Sequence, residues 1–124
     1  MIKNLKKFKN TPVIMFGVSL EGVAINMKLM QYNIKLHCFI DNSKALQGTY
    51  KNDIIINPPE YILSLNNYYV IIPSCHYKDM EKQLLNMGVN KKKIWRVEQF
   101  NKEYNEIDMP LKLKLYIFLH KINL

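Results

Sequence analysis

Two glycines five residues apart, Gly17 and Gly22, join an apolar run to a helix-like pattern in PVIMFGVSLEGVAINMKLM, residues 12–30. A turn of this kind lets the backbone approach a phosphate, while the following helix N-terminus offers N–H groups and a positive dipole. Asp41 follows Gly22 by nineteen residues and ends a second apolar run. An acid there suits hydrogen bonds from ribose hydroxyls. Asp41-Asn42 equally suits a simple turn cap, so the ligand reading rests on the whole series of strand, glycine turn, helix, strand and acid. The turn departs from G-x-G-x-x-G at its middle position, which holds Ser19. A Cβ there obstructs a pyrophosphate, although a serine hydroxyl can itself donate to phosphate. Glu21 suits the helix dipole but repels an anion. Tight NAD binding is disfavoured.

Cys75-His76 places a thiol beside an imidazole, the pairing of an activated nucleophile. Neighbours at a helix start point in different directions, and no third orienting group stands out, so an ordinary helix-start cysteine is favoured. A zinc site from His37, Cys38, Cys75 and His76 fails on geometry. His37 and Cys38 are consecutive strand residues facing opposite sides of a sheet. The two strands concerned would lie roughly 9–10 Å apart, with another between them. The same spacing argues against a Cys38–Cys75 disulfide. No catalytic residue and no metal ligand is assigned.

The elements that must position these groups are short and alternate in type. Residues 12–16 form a continuous apolar run, as in a strand buried on both faces. Leu20, Val23, Ala24, Met27 and Met30 then recur at helical spacing. IKLHCFID (34–41) and IIIN (54–57) are strand-like, and the polar stretch 42–53 between them reads as a loop. Pro58-Pro59 opens a helical turn over EYILSL. YYVIIP (68–73) is the clearest strand. Ser74 suits an N-cap for a helix over 75–87, with Tyr77, Met80, Leu84 and Met87 on one stripe and Gly88 at its C-terminal end. IWRV (94–97) is a last strand. The connections are too long for hairpins, so the pattern predicts an α/β three-layer sandwich: a parallel sheet of about five strands in the order 3-2-1-4-5. Ligands in such sheets bind beyond the carboxyl ends of the strands, where Gly17–Gly22, Asp41-Asn42 and residues 73–77 converge. Residues 1–97 form this domain. Residues 98–124 form a C-terminal segment whose Leu111, Leu115, Phe118, Leu119 and Ile122 make a helical stripe suited to packing or oligomerisation. Trp95 and the tyrosines are assigned to core or interface packing.

Bulk properties bound the partners. The chain has 124 residues, enough to bury a core without disulfides or metal. Its net charge of +8 arises from 17 lysines and a single arginine. Nucleic-acid interfaces lean on arginine for bidentate contacts, so this bias argues against DNA or RNA. No apolar run approaches the roughly 20 residues that span a bilayer, and the basic N-terminus lacks the apolar core of a signal peptide. Two cysteines fit free thiols in a cytoplasmic protein.

The segments VIMFGVSLEGVAINMKLMQYNIKLHCFIDNS, LQGTYKNDIIINPPEYI and YYVIIPSCHYKDMEKQLLNMGVNKKKIW resemble a small Rossmann-like domain of bacterial sugar-modifying proteins. It is similar to the N-terminal nucleotide-sugar-binding domain of sugar O- and N-acyltransferases of the sialic acid and bacillosamine type, over roughly residues 11–97. The resemblance implies that Gly17, Ser19, Gly22, Asp41, Asn42 and Ser74 line a nucleotide-sugar pocket. Glu21 stands where those acyltransferases usually carry histidine, and the 124 residues hold no hexapeptide repeats, so no acyltransferase activity is carried over. The expectation is a nucleotide or nucleotide-sugar binding module for bacterial surface-carbohydrate biosynthesis. It would be non-catalytic alone, homo-oligomeric through the C-terminal segment, and served by a partner enzyme of sugar metabolism. Two alternatives stand beside it. One is an NAD(P)-linked sugar-modifying enzyme with Tyr77 or His76 as proton donor. The other is a scaffold that has lost nucleotide binding and recruits an enzyme.

Overall fold

The computed structural model describes residues 8–73 and 77–96. In chain order the elements are β1 (Val13–Phe16), α1 (Leu20–Gln31), β2 (Cys38–Ile40), β3 (Tyr50–Lys51), β4 (Ile54–Asn57), a 3-10 helix (Pro59–Ser64), β5 (Tyr69–Ile72), α2 (Tyr77–Asn86), a 3-10 turn (Lys91–Lys93) and β6 (Ile94–Arg96). They build a mixed α/β fold around one six-stranded sheet, ordered β3-β4-β2-β1-β5-β6. All pairings are parallel except β3 with β4. Among the described residues no helix is long and apolar enough to cross a membrane.

Strand β1 sits near the middle because every one of its residues is apolar and buried. Its alternation sends Val13 and Met15 toward Ile25 and Leu29 of α1, together with Phe39 and Ile71. Ile14 and Phe16 point the other way, to Cys38, Ile40, Ile62, Val70, Ile72 and Leu84. A sheet covered on both faces needs such two-sided apolar strands, and burial of each large side chain contributes roughly 1.5–3 kcal/mol. Phe8 closes one side of the core through edge-to-face contacts with Tyr69 and Trp95, at centroid distances of 5.4 and 5.1 Å. At the far edge Arg96 stacks over Tyr77 at 4.8 Å and lies 3.7 Å from Glu81.

Several sequence-based expectations are corrected. The sheet has six strands rather than five, because the stretch 42–53 holds β3 as well as a loop. β3 and β4 do form a hairpin, turning at Asn52 and Asp53, whose φ angles are 52° and 63°. Positive φ at both central residues is the type I′ signature, which matches the twist of an antiparallel pair. Asn-Asp is a weaker signal for it than Asn-Gly, and a two-residue strand has no periodicity to detect. The segment after Pro58 is a 3-10 rather than an α-helix. The second strand is shorter than 34–41, although Ile34 and Leu36 are buried ahead of it. In α1 the buried face is Gly22, Val23, Ile25, Asn26 and Leu29, while Met30 is exposed. The helix is thus rotated from its expected stripe, since Gly22 allows close approach to β1. The helical stripe at 111–122 and the division at residue 97 lie outside the described residues.

Candidate functional site

The turn after β1 is built for close approach. Gly17 has φ = 101°, a conformation that side chains avoid, and its N–H donates to Ile40 O at 2.8 Å. Ser19 caps α1: its Oγ accepts from Gly22 N at 3.1 Å, and its carbonyl accepts from Val23 N at 3.0 Å. An added Cβ at Gly22 would lie 3.3 Å from Gly17 O and from Met15 Cγ, and 3.4 Å from Pro73 Cγ. Gly22 therefore serves helix-to-strand contact. The N–H groups of Leu20 and Glu21, in the first turn of α1, have no intrahelical partner and aim out of the helix end.

Asp41 joins this turn to the end of β2. Its Oδ2 accepts from Val18 N at 3.1 Å, and its Oδ1 accepts from Ser43 N at 2.8 Å. Gln47 Nε2 donates to its carbonyl at 2.9 Å, and its own N–H donates to Asn57 O at 3.1 Å. The carboxylate therefore holds the glycine turn and its own loop in place. Each oxygen keeps a further lone pair, enough to accept one hydroxyl. Asn42 forms a reciprocal amide pair with Gln83 of α2, at 2.9 and 2.8 Å. Met80, one turn earlier on α2, brings its Cε to 3.4 Å from the Cβ position of Gly17. Helix α2 thus leans over the turn and sets how much room is left there.

The structure brings together Gly17, Ser19, Gly22, Asp41 and Asn42 at the carboxyl edge of β1 and β2. Ser74, Cys75 and His76 lie outside the described residues. Val18, Ser43, Gln47, Met80 and Gln83 escaped sequence reasoning. Ser43 was recoverable, because Asp-x-Ser is an Asx-turn signal. Gln83 carries no local signal across the 41 positions that separate it from Asn42. Cys38 is a buried free thiol. Burial pushes it up to about 11, with a side-chain hydrogen bond to Asn57 pulling the other way. Such a thiol is inert as a nucleophile. His37 is exposed and bonded to Tyr61 Oη at 2.8 Å. Among the described residues no three His, Cys, Asp or Glu side chains gather to hold a metal.

Comparison with known proteins agrees with this architecture. The model of the family described as C2185-like, N-terminal, matches residues 9–95. The chain belongs to the C2185-like N-terminal family. That span contains the glycine turn, Asp41 and both lateral edges of the sheet. Among solved structures, this C2185-like domain is similar to the crystal structure of UDP-D-quinovosamine 4-dehydrogenase from Vibrio fischeri. The identity is 21% and the TM-score 0.55, and the match covers 69% of this chain and 76% of that one. At that identity the likeness shows a shared Rossmann-like fold. No curated protein matches.

Proposed function

We propose that this domain binds a nucleotide or nucleotide-sugar at the carboxyl edge of β1 and β2, and serves surface-carbohydrate biosynthesis without chemistry of its own. The observation that carries the reading is the Asp41 clasp. One carboxylate fixes both the glycine turn and the β2 loop, and it does so beside helix-start N–H groups that have no partner within the helix. Phosphate oxygens would accept from Leu20 and Glu21 N–H, and a ribose hydroxyl would donate to the remaining lone pair of Asp41. Ser19 completes the turn as the sugar-proximal hydroxyl, with Asn42 beside it; Ser74 is the further contact that the sequence resemblance implies. The structurally similar Vibrio fischeri enzyme is named for a UDP-sugar, in keeping with this ligand class.

A scaffold without nucleotide affinity is the second reading, and Met80 favours it. Its methyl group stands against Gly17, on the approach to the turn.

Thermal-shift titration of the full chain with UDP- and CMP-sugars, NAD, NADP and CoA separates the readings, since a ligand of the native state raises Tm. A saturable rise with a sugar nucleotide is expected, together with its loss in Asp41→Ala. That variant also removes the carboxylate that accepts from two backbone N–H groups, so the exposed Glu21→Gln is the cleaner probe. Removing a negative charge from the first turn of α1 should strengthen nucleotide binding about two- to fivefold. No rise with any nucleotide supports the scaffold. A rise indifferent to Glu21→Gln places the ligand elsewhere.

A further inference from the structure

The crossover from β2 to β4 contains no helix. Residues 41–53 hold turns and the short β3 only. Parallel neighbours are usually joined by a helix that also covers one face of the sheet. Among the described residues the α1 face over β2 and β4 lacks that second cover, and an open groove of about 700 Å³ runs in its place. Val23, Met27 and Met30 of α1 form one wall, with Ile34, Leu36 and Ile54 opposite. Met30 is 61% exposed there.

Asn26 belongs to the same wall. It is 3% exposed, and its Oδ1 has no hydrogen-bond partner among the described residues. An unpaired buried carbonyl oxygen is a cost that leucine would not incur.

A second cavity of about 470 Å³ adjoins the first, and Asn33, Lys35 and Leu36 border both. Lys9, Thr11 and His37 line this part, and among the described residues no acidic side chain borders it. The combined cleft is therefore apolar along α1, with Asp53 at the hairpin end of that groove, and cationic at the amino end of β1. It lies at the opposite end of the sheet from the glycine turn, so it stands or falls apart from the nucleotide reading.

We propose that this cleft binds a single-chain amphiphile with an anionic head, either an acyl carboxylate or an alkyl phosphate. The chain lies along Met27, Met30 and Ile54. The head sits among Lys9, Lys35 and His37. A wholly apolar ligand would leave the cationic end unused, and an inorganic anion would leave the methionine wall unused.

Calorimetric titration of the full chain tests this with dodecanoate and dodecyl phosphate, each below its critical micelle concentration. Dodecyl maltoside and inorganic phosphate serve as controls. One-to-one saturable binding of an anionic amphiphile is expected, at least tenfold tighter than the maltoside, with none for phosphate alone. The ratio of the two anionic affinities identifies the head. Met30→Glu and Lys35→Glu, both at exposed positions, should each weaken binding at least tenfold with Tm unchanged. The proposal is overturned by equal affinity for the maltoside, by binding that ignores both substitutions, or by no saturable binding to the full chain. Binding to phosphatidylglycerol vesicles but not to monomers overturns it in favour of a membrane surface.

Discussion

Asp41 shows how one side chain serves two purposes. Its carboxylate satisfies Val18 and Ser43 N–H, yet it stands where a ribose-binding acid would stand. The residue type was readable from spacing, whereas its structural task needed the contact between two loops. Gly22 presents two opposed effects. Alanine is favoured over glycine within a helix by about 1 kcal/mol. The new methyl would press on a backbone oxygen and a proline ring, at 3.3 and 3.4 Å, and such overpacking costs about 1–3 kcal/mol. Overpacking should win, so Gly22→Ala is expected to lower stability by about 1 kcal/mol in urea unfolding. Asn26 gives the converse case. Asn26→Leu removes an unpaired buried carbonyl at similar volume and should raise stability by about 1 kcal/mol or more. That corresponds to a Tm increase of about 4 °C, read by calorimetry. A fall in Tm instead would mean that the carboxamide is satisfied by water.

Among the elements, the β3–β4 hairpin and α2 make the clearest cases. Asp53 holds φ = 63° in the hairpin turn, a region where glycine is at ease. Asp53→Gly should therefore stabilise the chain by a few tenths to about 1 kcal/mol, measured as a shift in urea midpoint at constant slope. α2 is held to the β2 end by the exposed Asn42–Gln83 pair. A double-mutant cycle with alanine at both positions should return a coupling of about 0.5–1 kcal/mol, since solvent competes for both amides. A coupling near zero would mean that α2 is held by its other contacts, among them Met80, Leu84 and the Arg96–Tyr77 stack.

At the level of the whole molecule, Cys38 links the core to pH. The folded thiol keeps its proton up to about 11, while a thiol freed by unfolding loses it near 9.0. Between those values the unfolded state binds fewer protons than the native one. This contribution is therefore complete below pH 9 and declines as pH rises toward 11. Cys38→Ala should flatten that part of the curve. The readout is the difference in unfolding free energy between parent and variant from pH 8 to 11, because lysines titrate in both.

The amino-acid sequence by itself determined the alternation of strands and helices, the apolar strand β1, the glycine turn and the acid that follows it. These are local signals, carried by period, by turn residues and by spacing along the chain. Tertiary structure decided the rest. It rotated α1 so that Gly22 rather than Leu20 meets the sheet, and it added an antiparallel edge strand too short to show a period. It also laid Met80 against a turn more than sixty residues earlier, and Gln83 against Asn42, 41 residues earlier. The cleft on the α1 face exists because a crossover lacks its helix, and its residues come from four separate stretches of chain. Contacts between segments distant in sequence depend on how whole elements pack, and no single stretch of residues carries that information.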